Sequence, residues 1–243
     1  MSGHSKWAQI KHKKAATDAK RGNLFAKLAS AITVAAKDGR DPNMNSKLRL
    51  AVERARSFNM PLDNIERAIE RAKSLKGSAE LDSLLYEAYG PGGAAILVEA
   101  VTDNKNRTVA DIKHVLAENG GKLAESGSVA WMFSREGVLF LPSETNKNLD
   151  SEETELAVID AGAEDIIKDE GGLIILTSPD KRADVGEKIT AKGFVIGDSS
   201  DEYVAKMPIE KLEKTGKDRL IKLTEALEAH DDVLNVWSNV TGL

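Results

Sequence analysis

The period of the hydrophobic residues changes once along the chain, between residues 78 and 90, and this change limits what the chain can fold into. Before it, apolar side chains recur every three to four positions, the spacing of a buried helix face. Leu24, Phe25, Leu28, Ile32 and Ala35/Ala36 predict a helix over 24–37, stopped by Gly39. Leu48, Val52, Ala55 and Phe58 predict a second over 45–59, ended by Pro61. Ile65, Ile69 and Ala72 predict a third, starting near Asp63 as its cap with Glu66 three residues on, and running to Gly77.

After the change, turn glycines alternate with short aliphatic runs. The cluster Gly90-Pro91-Gly92-Gly93 opens a strand over 94–101, followed by a helix over 108–119 and a strand over 129–133. A second series follows: strand 138–141, helix 152–161, strands 165–168 and 173–177, helix 182–192, and strands 194–196 and 203–207. This order approximates βαββαβ, the split ferredoxin-like unit. The last helix, 218–230, and the last strand, 233–240, cannot bury a core alone, so they are expected to return and complete the open βαβ unit. The expected fold class is α+β in three domains. A basic helical domain covers 1–78, a discontinuous α/β domain covers 79–134 with 208–243, and a ferredoxin-like α/β domain is inserted at 135–207.

Charge divides the same way. Residues 1–80 carry 17 Lys+Arg against 8 Asp+Glu, whereas 81–243 carry 17 against 31, so a net of +9 adjoins a net of −14. A basic unit joined to an acidic one points to a polyanionic partner for the first, against the alternative of a solvated lysine face. Cysteine is absent, which excludes disulfides and thiolate chemistry and is compatible with a reducing cytosol. Apolar runs such as 129–133 reach only five residues, far short of the ~18 of a membrane span, and no secretory apolar core precedes the lysine-rich start. The acid-poor first 40 residues also fit a mitochondrial transit peptide, although such peptides favour arginine and this segment favours lysine.

Two segments are candidates for binding nucleic acid. The first interleaves cations with one indole: His4, Lys6, Trp7, Lys11, His12, Lys13 and Lys14, with Lys20 and Arg21 beyond. Cations attract phosphate oxygens, and an exposed aromatic stacks on an unpaired base; the alternative for Trp7 is packing against neighbouring helices. The second is the loop holding Asp103, Asn104, Asn106 and Arg107, between a strand end and a helix start, where anions often bind. Its alternative is a solvated turn with Asn106 or Thr108 as helix cap.

Other chemistries lack their signatures. No GxxxxGK follows the glycine cluster, no GxSxG is present, and His4, His12, His114 and His230 show no HExxH spacing. Catalytic and metal-binding residues are therefore assigned to none, no cofactor is implied, and the acidic run 198–202 reads as a solvated turn. Helix-turn-helix, zinc-finger and RNP-type signatures are also missing, so backbone or shape recognition fits better than base-specific reading.

The opening residues, Gly3-His4-Ser5-Lys6-Trp7 through Ile10-Lys11-His12-Lys13-Lys14, Asp18-Ala19-Lys20-Arg21-Gly22 and Phe25, resemble the YebC/PmpR family. Tyr89-Gly90-Pro91-Gly92-Gly93, Thr102-Asp103-Asn104 with Asn106-Arg107-Thr108, and Gly127-Ser128-Val129-Ala130-Trp131-Met132-Phe133 are similar to three further family blocks. The resemblance implies a cytoplasmic, non-enzymatic protein with a helical domain and two α/β domains. It implies a nucleic-acid partner, either promoter DNA, as for members described as transcriptional regulators, or rRNA and tRNA, as for ribosome-associated members that relieve pausing at proline runs. Mitochondrial relatives, which activate translation of an oxidase subunit, carry an extension ahead of the shared opening, so a bacterial source is expected here. The ribosomal reading is placed ahead of the promoter reading, and an interaction scaffold is kept as a third. Expected assembly is a monomer or weak homodimer, without a membrane partner.

Overall fold

The computed structural model describes residues 18–74, 81–169 and 171–241. Three helices come first: α1 (Asp18–Ala35), α2 (Ser46–Ser57) and α3 (Leu62–Ser74). The faces read from periodicity are the buried ones, with Ile32, Leu48 and Ile65 at the centre and Leu28, Val52, Ala55 and Ala68 around them. Asn45 joins the first two helices. Its side-chain oxygen caps α2 by accepting from Leu48 N at 3.1 Å, while its amide donates to Ala35 O and Gly39 O at 2.7 Å each. Helix α3 begins one residue earlier than expected. Asp63 therefore lies inside its first turn, favourable to the helix dipole, instead of serving as the cap.

The first sheet has strand order β3-β1-β2-β8, every neighbour antiparallel: β1 (Asp82–Tyr89), β2 (Ala95–Thr102), β3 (Lys122–Leu123) and β8 (Val233–Ser238). Helices α4 (Lys105–Glu118) and α7 (Lys214–Ala229) cover one face, where Ile112, Leu116, Leu220, Leu223 and Leu227 bury Ala88, Ile96, Val98 and Val236. Strand β1 has no counterpart in the sequence reading. Its partly exposed, charge-bearing alternation is a weak signal beside β2, which is buried on both faces and so nearly all aliphatic. The glycine cluster is the hairpin turn between them. Gly92 holds φ at +71°, and a Cβ there would overlap Leu212.

The second sheet follows the ferredoxin-like pattern: β4 (Phe133–Pro142), α5 (Glu152–Ala161), β5 (Asp165–Asp169), β6 (Gly172–Thr177), α6 (Arg182–Ala191) and β7 (Asp198–Ala205), in strand order β5-β6-β4-β7. It is inserted between β3 and α7 of the first sheet, so the fold class is α+β with a discontinuous first α/β unit.

Several expected elements differ. Of residues 129–133 only Phe133 lies in a strand, as the first residue of β4; Ala130–Met132 form a 3-10 turn leading into it, because Val129 N and Ala130 N are taken by a side chain described below. Residues 194–196 form none either. Asn146 Oδ1 accepts from Val195 N at 2.7 Å and its amide donates to Val195 O at 2.9 Å, so one side chain satisfies the backbone a neighbouring strand would have paired. The acidic run 198–202 is no solvated turn; it begins β7, where Arg182 Nε donates to Asp201 Oδ1 at 3.0 Å and Trp237 Nε1 donates to the buried Glu202 at 2.6 Å. Helix α4 begins at Lys105 and α7 at Lys214, three and four residues before expectation.

The two sheets meet through one aromatic and aliphatic joint. The face of the first sheet away from its helices, with Ala95, Leu97 and Trp237, packs on Val129, Phe133 and Tyr203, and the Tyr203 and Trp237 rings meet edge-on at 4.9 Å. The helical unit docks against both: α2 packs on β7, and α1 on β2 and β8. Arg54 Nη2 donates to Asn235 Oδ1 at 2.8 Å, whose amide donates to Glu99 Oε2 at 2.6 Å.

Candidate nucleic-acid interface

Of the side chains expected to meet nucleic acid, His4, Lys6, Trp7, Lys11, His12, Lys13 and Lys14 lie outside the described residues. Lys20 and Arg21 belong to the first turn of α1, with their side chains outside the described set. The helix into which this basic segment leads is anchored at its beginning. Asn23 Nδ2 donates to Asp231 Oδ1 at 2.8 Å and Lys27 Nζ donates to Glu228 O at 2.5 Å, tying α1 to the end of α7 and to the turn that leads from it into β8.

The polar loop at 102–108 arrives at the same turn. Asn104 caps α4 by accepting from Arg107 N at 3.1 Å, so the cap is Asn104 and neither Asn106 nor Thr108. Arg107 Nη2 donates to Asp103 Oδ1 at 3.1 Å and to Asp232 Oδ2 at 3.2 Å. The buried Thr108 hydroxyl donates to Asp232 Oδ2 at 2.6 Å and lies 2.8 Å from the Thr102 hydroxyl. Two segments distant from it in sequence thus bracket one turn, through Asn23–Asp231 on one side and Arg107–Asp232 on the other. Arg107 comes to this site already paired with two carboxylates, so a phosphate would compete with them. Asp103, Asn104, Lys105 and Asn106 face solvent, with Lys105 Nζ 3.3 Å from Asp82.

Asp232, whose side chain is 16 % exposed, organises this loop. Burial alone would raise its carboxyl, but hydrogen bonds from Thr108 and Arg107, the Arg107 charge and Thr102 together bring it below the usual aspartate range. Hydrogen bonding and charge from the same Asp232 hold the Arg107 guanidinium more firmly protonated. Burial, followed by the Asp232 charge, pushes the Tyr86 phenol upward. A depressed folded value means that Asp232 contributes full stability above the ordinary aspartate range and loses it as pH falls through that range and below. Asp232→Asn is therefore expected to lower unfolding free energy at pH 7 by about 1–3 kcal/mol, with the gap to the parent closing in acid. Urea melts across pH test this; a gap unchanged from neutral pH to below the aspartate range rejects it.

A second buried carboxylate organises the segment 127–130. Glu87, on β1 and 7 % exposed, accepts from Gly127 N at 2.6 Å through one oxygen and from Val129 N at 2.5 Å and Ala130 N at 2.8 Å through the other. Burial opposes its ionisation, yet the three backbone donors outweigh burial and hold its carboxyl below the usual range. The segment so held carries Trp131, which is exposed.

Among the described residues, no group of three or more histidine and carboxylate side chains is placed to hold a metal ion. His114 pairs with Glu118 on the surface of α4, and His230 Nε2 lies 3.4 Å from Asp111. No described helix is long and apolar enough to cross a membrane.

Two family models divide the chain where the folding pattern changes: the TACO1/YebC protein N-terminal domain matches residues 5–75, and the TACO1/YebC second and third domain matches residues 81–240. The chain belongs to the TACO1/YebC family. Proteins named probable transcriptional regulatory protein are similar throughout: that of Caldanaerobacter subterraneus subsp. tengcongensis is 47 % identical, covering 99 % of this chain and 98 % of its own, and that of Thermosipho africanus is 45 % identical, covering 98 % and 93 %. The crystal structure of a conserved hypothetical protein from Aquifex aeolicus matches with a TM-score of 0.86 at 39 % identity, covering 97 % of this chain and 96 % of that one. Within the TACO1/YebC chain, the family-like blocks at 89–93, 102–108 and 127–133 form the β1–β2 turn, the loop closed on Asp232 and the turn held by Glu87. Sequence reasoning missed Asp232 and Glu87. Their partners lie 124 and about 40 residues away, and a lone acid carries no local pattern to mark it.

Proposed function

We propose that this protein is a non-enzymatic regulator of gene expression that binds nucleic acid, acting on the ribosome through rRNA or bound tRNA to relieve pausing. The observation that carries the reading is the collection of cations ahead of and within the helical unit, a net of +9 over residues 1–80 in a chain whose net charge is −5. Exposed cations continue over the described helices at Lys47, Arg49, Arg56, Arg67 and Lys73, interleaved with the exposed acids Glu53, Asp63, Glu66 and Glu70 and with Lys47 paired to Asp38, so the cationic excess is densest ahead of them. Lys6, Lys11, Lys13, Lys14, Lys20 and Arg21 would grip phosphates, while the loop of Asp103, Asn104, Asn106 and Arg107, beside the start of α1, would touch RNA. Lack of a base-reading signature favours RNA shape and backbone over a promoter sequence.

Promoter DNA is the second reading, favoured by the names of the relatives as probable transcriptional regulatory proteins. Ribosome co-sedimentation beside promoter footprinting separates the two. The wild-type chain is expected to pellet with ribosomes at physiological salt, and the Lys11→Glu, Lys13→Glu, Lys14→Glu variant to stay in the supernatant. Sequence-specific promoter protection at submicromolar protein, without ribosome association, would transfer the role to DNA. Retention of the triple variant on ribosomes would favour a protein-interaction scaffold.

A further inference from the structure

The segment 127–133 is built to hold one large side chain outside the fold. Trp131 is 57 % exposed, although every other large apolar side chain of its turn is drawn inward: Val129 and Phe133 enter the joint between the sheets and Met132 packs against it. Its indole N–H is already used, donating to Ser128 O at 3.0 Å, and the same carbonyl accepts from the Tyr89 hydroxyl at 3.2 Å. That bond fixes the ring's tilt and leaves its apolar face as the surface on offer. Beneath the turn, Glu87 holds the backbone N–H groups of Gly127, Val129 and Ala130 from inside the protein. An exposed indole on so fixed a support loses little conformational freedom when a flat partner covers it.

Two lysines stand near this turn, whose inner side holds the Glu87 carboxylate. Lys122 Nζ stands 5.8 Å from the centre of the Tyr89 ring, and Lys206 N donates to Met132 O at 2.8 Å, which brings exposed Lys206 and Met207 alongside the turn. Over residues 122–132 the one acidic side chain is the exposed Glu125. A fixed π-face on a turn with lysines on the neighbouring strands matches an unpaired nucleobase and its backbone, because every base has a face to stack and the cations need only a phosphate within reach.

We infer that Trp131 is a stacking platform for an unpaired base of single-stranded RNA, with Lys122 and Lys206 meeting the flanking phosphates. This deepens the nucleic-acid reading and rests on it. It adds a second contact, on the joint between the two α/β units and separate from the basic helical end. Duplexes do not engage it, since their bases are already stacked.

The full-length protein labelled with fluorotryptophan tests this, its Trp131 resonance identified by the loss of one signal in Trp131→Phe. A short oligoadenylate should shift that resonance, and the same strand paired with its complement should not. Trp131→Ala should weaken oligoadenylate binding by roughly 5- to 100-fold while leaving duplex affinity within about twofold, and Trp131→Phe should retain most of it. Glu125→Gln should tighten binding by removing the opposing charge. Equal oligoadenylate affinity of Trp131→Ala and wild type overturns the stacking role alone when duplex binding persists. A resonance unmoved by RNA but shifted by stripped ribosomal proteins makes the turn a protein-docking surface and also overturns it. A wild-type chain that binds no polynucleotide of either kind removes the nucleic-acid reading together with this contact.

Discussion

Replacing Glu87 with alanine is expected to destabilise the protein by about 3–5 kcal/mol, since the change strips three backbone N–H groups, that of the buried Val129 among them, of the charged acceptor they share. For a chain of 243 residues this corresponds to a fall in melting temperature of roughly 6–20 °C. Glu87→Gln separates charge from shape. The amide keeps one carbonyl acceptor but turns its NH₂ group toward a backbone N–H, so an intermediate loss of about 1–3 kcal/mol is expected. The pH dependence carries a definite sign. Because the folded carboxyl lies below its ordinary value, its stabilisation is complete above the usual glutamate range and disappears as pH falls through and beneath it. The difference between wild type and Glu87→Gln should therefore narrow in acid. A Glu87→Ala melting curve superimposed on that of wild type would show that the donors find another acceptor.

Raising monovalent salt from 50 to 200 mM is expected to weaken nucleic-acid binding by about three orders of magnitude if about six of the amino-terminal cations meet duplex phosphates. Each contact contributes ~0.9 to the slope of log affinity against log salt, so wild type should show a slope near −5 and the Lys11→Ala, Lys13→Ala, Lys14→Ala variant one near −3. On a single strand each contact contributes less, ~0.7, and the total loss is correspondingly smaller. Fluorescence anisotropy with a generic duplex and a single strand, at matched salt, reads both slopes. A wild-type slope shallower than −1 would mean that the excess lysines face only water.

The helices and the central strands were legible because burial on one face, or on both, leaves a repeating apolar pattern. Ile32, Leu48 and Ile65 appear at helical spacing, and β2 reads as a continuous aliphatic run. Strands relying on partners were not legible. Strand β1 alternates too weakly, and the acids of β7 are accommodated in its ladder with β4 where Arg182 and Trp237 reach Asp201 and Glu202 from elsewhere in the chain. Residues 194–196 illustrate the reverse error. Phe194 and Ile196 pack against the core as a strand's would, yet the Asn146 amide takes the place of the neighbouring backbone at Val195.

The candidate site divides along the same line. Runs of lysine, and a polar loop before a helix, are local features that any reading of the chain can find. That Arg107 is held by Asp103 and Asp232, that Asn104 is occupied as a cap, and that Trp131 stands outward over Glu87 depend on groups brought together across as many as 125 residues.

Sequence by itself determined the helical-to-α/β change, the charge division and the family, since each is written in the order or kind of neighbouring residues. Tertiary structure alone decided which acids are buried, which cation is already paired and which aromatic faces solvent. A carboxylate's burial and ionisation depend on the donors that surround it in space, and chain order does not specify those donors.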